Sequence, residues 1–340
     1  MSTDQPRSAA AAPEAAPAAD EGAQRGRSQI LTGVVPILAA LLVVCAILSV
    51  ATDNFLTGSN LTNIIIQTSV VGIAAVGATF VIVTAGIDLS VGSNVVLSSI
   101  VAALAMKQGV PGGVALLIAM GVGVAIGAFN GFSITVLRLT PFIATLAVLA
   151  MGRGLALQLS EGRTIFDFPT SFTFLGSGIL FGIRAPLAAF LVVFLIGYLV
   201  LSRTTFGHQV YALGGNREAA RLAGIPVRRV EFTVYAIAGL CAGLAAIVLT
   251  GRLNSALPSA AAGLELQVIA AIVIGGTSLF GGRGNMIGTL IGVLLIGVIN
   301  NGLTLLNVSP FWVLFAQGAV IFLAVLVDAV NQRRLNRASG

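Results

Sequence analysis

The chain has 340 residues, of which 57% are hydrophobic and only 9% are charged, and its mean hydropathy is +1.02. Soluble domains carry about 25% charged residues, so the composition excludes a globule that covers itself with polar groups in water. It predicts an all-α, polytopic membrane protein. The net charge of +6 does not require a nucleic-acid partner, because uneven placement of basic residues across a membrane also produces it.

Residues 1–29 are rich in Ala, Pro and charge and have no apolar period, so we expect a disordered cytoplasmic extension. The first long apolar run starts near Ile30 and approaches full spanning length, which argues against a signal peptide. We therefore predict a transmembrane domain over 30–328 and a cytoplasmic tail over 329–340. Cys45 and Cys241 fall inside apolar runs and are expected to be buried rather than bridged.

About ten apolar segments are candidates to span the bilayer. Several are short for a hydrocarbon core of about 30 Å and contain glycine, which predicts that some are broken or partly re-entrant. The segments are 30–50, 62–84, 89–106, 112–137, 141–159, 185–201, 231–251, 265–282, 285–304 and 309–328.

The Lys and Arg residues predict that both termini face the cytoplasm. With that orientation 13 of the 18 basic residues are inside and four are outside, while Arg153 lies within a segment. Five of the inner residues belong to the loop 202–230. The outer connections 51–61, 160–184 and 252–264 are either solvated linkers or a docking face for an extracytoplasmic partner.

The cytoplasmic loop contains a short polar sequence, Gly214 to Pro226, that reads as a single capped helix. Asn216 is a favoured N-cap, and Glu218 follows in the first turn, where the helix dipole favours a carboxylate. Gly224 supplies a left-handed stop, and Pro226 prevents continuation. The helix of roughly two turns is marginal on its own, so it is either an ordinary loop helix or one that packs against a partner.

Asp88 is a carboxylate between two apolar segments, flanked by Gly86 and Gly92. The glycines predict a break in the helix, where Asp88 or Ser90 can cap the helix that follows. An acidic residue near membrane depth is also a functional candidate. Structural capping, direct contact with a substrate and proton coupling therefore remain open.

Neutral amides are the other polar groups within the apolar segments. Such groups face the protein interior or a wet path, and they suit a polyhydroxylated substrate as well as hydrogen bonds between helices. The candidates for the helix break or a translocation path are Gly86, Asp88, Ser90, Gly92, Asn94, Asn130 and Asn300. Gln267, Asn301 and Gln317 are further polar residues of this kind.

No catalytic or metal-binding constellation is evident in the sequence. His208 is the sole histidine and has no neighbouring His or Cys with ligand spacing. The glycine-rich stretches at 275–276 and 281–284 lack the Gly-Lys-Ser/Thr ending of a P-loop. Any nucleotide must therefore be used by another chain, and these glycines are expected to let helix ends turn and pack closely.

Four ordered blocks give the chain its resemblance to a known family. They are Gly86–Ser93, Thr140–Leu146 followed by Gly152-Arg153-Gly154, Gly214–Ile225, and Ile274–Gly284. From Ile30 to Asp328 the chain resembles the permease subunits of bacterial ATP-binding-cassette importers for ribose, xylose, arabinose and galactose.

The resemblance implies an inner-membrane importer that carries a monosaccharide. A partner ATPase would use ATP and Mg, a periplasmic protein would deliver the sugar, and a second permease copy would complete a homodimer. The short helix would dock on the ATPase, and the residues that match the family's coupling motif are Asn216, Arg217, Glu218, Ala219, Ala220, Arg221 and Gly224.

Two other functions remain open from the sequence. Related permeases carry branched-chain amino acids, but their first block has an Asn-Leu-Ala-His-Gly character that is absent from this chain, and nucleosides are another substrate class. An ion-coupled secondary transporter is the other alternative, suggested by Asp88 and the discontinuous segments.

Overall fold

A computed structural model describes residues 18–309, 311–319, 322–323 and 326. The fold is helical, with four strands of two residues each. In chain order the elements are α1 (Ala18–Ala51), α2 (Gly58–Val83), α3 (Val91–Lys107), α4 (Gly112–Thr135), α5 (Pro141–Ser160), β1 (Ile165–Phe166), α6 (Thr170–Ser177), β2 (Ile179–Leu180), β3 (Ile183–Arg184), α7 (Ala185–Arg203), α8 (Thr205–Gly215), α9 (Arg217–Leu222), α10 (Val227–Leu253), β4 (Ser255–Ala256), α11 (Leu264–Ile274) and α12 (Met286–Leu305).

Seven helices of the described chain are long and apolar enough to cross a membrane. They are α1, α2, α4, α5, α7, α10 and α12, while α3 and α11 are shorter apolar helices. Residues 311–319 are also helical and belong to the last predicted segment. The prediction of an all-α, polytopic membrane protein is confirmed.

The start of α1 differs from the predicted boundary. The helix begins at Ala18, within the range 1–29 for which the sequence predicts disorder. Alanine has the highest helix propensity, and adding residues to an existing helix is easier than nucleating one. The apolar span therefore extends its helix towards the N-terminus. The predicted disorder of 1–17 and the tail 329–340 lie outside the described residues.

The centre of the bundle is α2, with α10 packed beside it. Every residue from Thr68 to Val83 of α2 is buried, although that sequence is apolar all round. A helix with no polar face is stable when other helices enclose it. The outer helices α4, α5 and α7 expose most of their apolar side chains, which suits contact with lipid or with another protein.

Helices α4 and α10 approach closely through glycines. Gly123 and Gly127 of α4 lie against the backbone at Gly239, and Gly243 of α10 lies against Met120. In each helix the two glycines are four residues apart, so they share one face and leave no side chain between the axes. These glycines therefore serve tight packing between the two helices.

The predicted spanning segment 265–282 is wrong in its second half. Helix α11 ends at Ile274, and a loop follows up to Asn285. Gly276, Gly281 and Gly282 adopt positive φ angles of 85°, 80° and 71°, which glycine tolerates and a continuing helix excludes. This segment is therefore one of the broken ones.

Loops predicted to share a side of the membrane lie together. On one side, β1 pairs antiparallel with β4 and joins the loops 160–184 and 252–264, with Ile165 opposite Ala256. On the other side, Arg138, Arg217 and Arg228 line one cavity of about 640 Å³. The grouping supports the predicted sidedness, while the inward direction of the termini stays a prediction.

Candidate functional sites: a short capped helix and buried polar residues

The caps predicted for α9 are confirmed. Asn216 has extended backbone angles, and its Oδ1 accepts hydrogen bonds from the N–H groups of Glu218 (3.0 Å) and Ala219 (2.9 Å). Gly224 has a φ of 81°, and the Ile225 N–H reaches back to the Ala220 carbonyl at 3.1 Å. This is the left-handed stop that terminates helices. Each end of α9 is thus closed by its own residues.

One face of α9 is exposed and offers a surface to a partner. Glu218 and Arg221 form an exposed ion pair of 2.6 Å, and Leu222 leaves 78% of its surface exposed. These side chains are free of contacts with the rest of the described chain, so this face of α9 is accessible to another molecule. Ala219 and Gly224 are exposed as well.

Ala220 corrects the set of residues expected to touch a partner. It is only 4% exposed and packs towards the rest of the chain. In a helix this short, residues three and four apart share a face, so the position between the exposed Ala219 and Arg221 turns inward. Ala220 therefore packs α9 against the rest of the chain. Leu222 is the apolar side chain on the exposed face.

The Arg217 side chain binds within the chain and anchors α9 to α10. Its guanidinium donates two hydrogen bonds to the Glu231 carboxylate, from Nη1 to Oε1 at 2.8 Å and from Nη2 to Oε2 at 2.7 Å. These hydrogen bonds hold the pKa of Arg217 above its usual range. Glu231 is buried within α10. The sequence placed it at the start of a spanning segment and missed the pair.

Helix α8 contacts the end of α2 and the loop before α12. Gly214 packs on the Val83 carbonyl at the end of α2, and that carbonyl accepts from the Gly282 N–H at 2.9 Å. Tyr211 donates its hydroxyl to the Gly284 carbonyl at 2.7 Å, and burial raises the pKa of its phenol. The third and fourth sequence blocks therefore meet at one junction.

The break around Asp88 is present between α2 and α3, and Asp88 shapes the turn. Its Oδ1 accepts from the Ser90 N–H at 2.8 Å and from the Ser90 hydroxyl at 2.6 Å. Asn130 of α4 donates to the same hydroxyl at 2.8 Å. Neither the Asp88 nor the Ser90 side chain accepts from a first-turn N–H of α3, so the predicted side-chain cap is absent. Asn130 of α4 instead holds the turn before α3 through the Ser90 hydroxyl.

The two glycines that flank Asp88 have different neighbours. Gly86 lies against the hydroxyl of Tyr235, which donates to the Ile87 carbonyl at 3.4 Å. Gly92 lies against the Glu265 carboxylate of α11, so a side chain there would collide with it. The break is where the sequence predicts it, and both glycines also allow close approach of neighbouring groups there.

The other two candidates, Asn94 and Asn300, form no hydrogen bond to Asp88 or Ser90, so the candidates do not line a single path. Asn94 donates to the Gly123 carbonyl at 3.1 Å and serves helix packing. Asn300 lies in a separate cluster, where it donates to Gln267 (3.4 Å) and accepts from Gln317 (3.1 Å). Asn300 and Gln267 line a cavity of about 140 Å³.

A third ion pair, which joins two membrane-embedded helices, was not predicted. Arg153 of α5 donates from Nη2 to Glu265 Oε1 of α11 at 2.7 Å. The two residues are 112 positions apart, and no local pattern links them. The only signal was the presence of Arg153 within an apolar segment. In the described part of the chain, no three His, Cys, Asp or Glu residues gather as a metal site.

An apolar helical bundle with seven helices long enough to cross a bilayer is the architecture of a polytopic membrane protein. A sequence model of the family described as "Branched-chain amino acid transport system / permease component" matches residues 60–325, and the chain belongs to this family.

The curated relatives are sugar permeases. The chain is 44% identical over 290 residues to the ribose import permease protein RbsC of Bacillus subtilis (strain 168), covering 85% of this chain and 90% of the relative. It is 45% identical over 299 residues to the RbsC of Escherichia coli (strain K12), covering 87% and 93%. The D-allose transport system permease protein AlsC of the same strain is 41% identical over 281 residues, covering 82% and 86%. No solved structure matches the chain. The predicted resemblance to sugar permeases is confirmed.

Proposed function

We propose that this chain is the transmembrane permease subunit of an ATP-driven importer that carries a monosaccharide across a bacterial inner membrane. The observation that carries the proposal is α9, a capped helix with an exposed face, which is tied to the spanning helix α10 by the Arg217–Glu231 pair. Movement of a partner bound to α9 would reach the bundle through this pair.

The energy source is assigned to a partner. The sequence has no P-loop, so ATP and its Mg would be bound and hydrolysed by a separate ATPase that docks on α9. A second copy of this chain would complete the permease as a homodimer, and both termini would face the cytoplasm. Closure of the ATPase would then switch the side to which the pathway opens, as a rigid-body response.

The opposite end of the bundle suits a binding protein that delivers the sugar. There the β1–β4 pairing joins two loops into one surface, and α6 packs on the end of α10 that leads into β4. A monosaccharide is favoured over branched-chain amino acids and nucleosides, because the relatives named above are sugar permeases.

Reconstitution tests the proposal. Liposomes that contain the permease with its ATPase are supplied with the cognate binding protein and labelled ribose, and uptake is measured with and without internal ATP. We expect uptake that requires ATP and continues after a proton gradient is dissipated. Uptake that proceeds without ATP and stops with the gradient would establish the ion-coupled alternative suggested by Asp88.

A further inference from the structure

The Arg153 side chain lies at a depth where an exposed charge needs an explanation. It is the thirteenth residue of α5, so it lies about 18 Å along the axis from Pro141 and about 10 Å from Ser160. Its side chain is 41% exposed. The neighbouring exposed residues of α5, Met151, Leu155 and Leu157, are apolar. A guanidinium facing lipid at this depth is costly, so the face of α5 that carries Arg153 meets water or a polar solute, while the apolar side chains on its other exposed face suit lipid.

A cavity of about 270 Å³ opens beside this guanidinium. Its wall includes Arg153 and Leu157 from α5 together with Pro258 and Ser259 from the loop after β4. The other lining residues in the described part of the chain are uncharged. The cavity is therefore an apolar recess with one group of strong hydrogen-bond donors at its edge.

Glu265 sets the charge of the site. Its carboxylate is 9% exposed and accepts the Arg153 bond through Oε1, while Oε2 has no hydrogen-bond partner within the described residues. That oxygen packs against Gly92, and Glu265 does not line the cavity, so Glu265 acts on the site through Arg153, whose charge it neutralises. The ion pair is neutral as a whole, so it gives no net attraction to an anion or a cation.

We infer that the recess beside the Arg153–Glu265 pair is a binding site for a neutral, polyhydroxylated solute on its way through the permease. A guanidinium has five N–H donors, and the bond to Glu265 uses one of them. Hydroxyl oxygens accept hydrogen bonds, so adjacent hydroxyls of a sugar match the planar set of N–H donors that Arg153 still has free. This inference rests on the proposed function, to which it adds a place of contact.

Thiol accessibility tests the site without relying on transport. In a chain with Cys45→Ala and Cys241→Ala, Leu157→Cys places a thiol at the recess, and Leu195→Cys places one on the exposed face of α7 as the matched control. The full-length variants in liposomes are treated with a charged methanethiosulfonate reagent, which reacts with thiolates in water. We expect Leu157→Cys to react more than about tenfold faster than the control.

Sugar protection then identifies the ligand class. Ribose is expected to slow labelling of Leu157→Cys, while glycine betaine at equal osmolarity leaves it unchanged. Arg153→Lys keeps the charge opposite Glu265 but loses the planar fork, so about tenfold more ribose is needed for equal protection while labelling stays fast. Equal labelling of the two thiols, or the absence of ribose protection, would overturn the inference.

The two proposals fail in different ways. ATP-driven ribose uptake by the unmodified chain, combined with an unprotected Leu157→Cys thiol, rejects the site and leaves the proposed function standing. Protection without any ATP-driven uptake supports the site and rejects the proposed energy source.

Discussion

Arg217 and Glu231 are joined by two nearly equal hydrogen bonds of 2.8 and 2.7 Å, which tie the first residue of α9 to the first turns of α10. One turn further along α10, Tyr235 reaches the Ile87 carbonyl in the break before α3. A displacement of α9 is therefore passed by direct contacts to the turn that Asp88 shapes.

Removing either member of the Arg217–Glu231 pair should uncouple ATP hydrolysis from uptake, but the two changes should differ in stability. Arg217→Ala leaves the buried Glu231 carboxylate unpaired, at a cost of about 2 kcal/mol. Glu231→Gln leaves a guanidinium that can turn to water, since its side chain is 57% exposed. We expect a lower Tm for Arg217→Ala than for Glu231→Gln, and about a tenfold lower ratio of uptake to hydrolysed ATP in both.

The double variant provides the control for that comparison. Arg217→Ala combined with Glu231→Gln removes the unpaired charge, so its Tm should recover above that of Arg217→Ala while coupling stays low. A normal ratio of uptake to hydrolysed ATP in all three variants would mean that the pair stabilises the local structure and takes no part in coupling.

Leu222→Ala should weaken association with the ATPase without affecting the fold. Complete burial of a leucine side chain contributes about 1.5–3 kcal/mol, so losing most of it at an interface corresponds to about 2 kcal/mol, or about 30-fold in Kd. Leu180→Ala, at the opposite end of the bundle and also exposed, is the matched control. Co-purification with the ATPase at graded concentrations measures both, and equal recovery would exclude Leu222 from the contact.

Glu218→Lys should reduce ATPase docking while the Tm stays unchanged. The Glu218–Arg221 pair is exposed, and exposed pairs contribute little to folding, whereas reversing a charge in an interface opposes its charge pattern. Glu161→Lys reverses the equally exposed partner of Arg163 on the other side. We expect slower association for Glu218→Lys alone, measured by surface plasmon resonance at two salt concentrations. An effect of the same size in Glu161→Lys would point to net charge as its cause.

Asp88→Asn should leave transport close to normal. The amide oxygen of Asn can still accept both bonds from Ser90, so the turn before α3 survives. Asp88→Leu removes the acceptor and strands two donors, which should lower stability by about 1–3 kcal/mol. Uptake and Tm of the two variants separate these effects. Complete loss of uptake in Asp88→Asn at normal expression would favour a protonatable role for this carboxylate.

The positions of most helices follow from the sequence because lipid imposes long apolar stretches and glycine and proline interrupt them. The same local logic identifies Asn216 and Gly224 as the ends of α9. The same logic makes α11 too long, because the apolar residues after Ile274 suggest a continuing helix whereas the glycines among them end it. It also misses the start of α1, where helix propensity continues beyond the apolar span.

Partnerships between distant residues could not be predicted in this way. Arg153 and Glu265 are brought together by the packing of α5 and α11, and Arg217 finds Glu231 only because α9 folds back on α10. For Ala220 the sequence predicts a contact that the structure does not place on the surface. Its place in a motif indicates a contact surface, whereas the orientation of a six-residue helix turns it inward.

The brevity of α11 has a consequence for the thickness of the barrier. Its eleven residues span about 16 Å, roughly half of a hydrocarbon core of about 30 Å. The remaining depth is occupied at this place by the non-helical loops 254–263 and 275–285. The barrier at this place is therefore completed by two short loops, one at each end of α11.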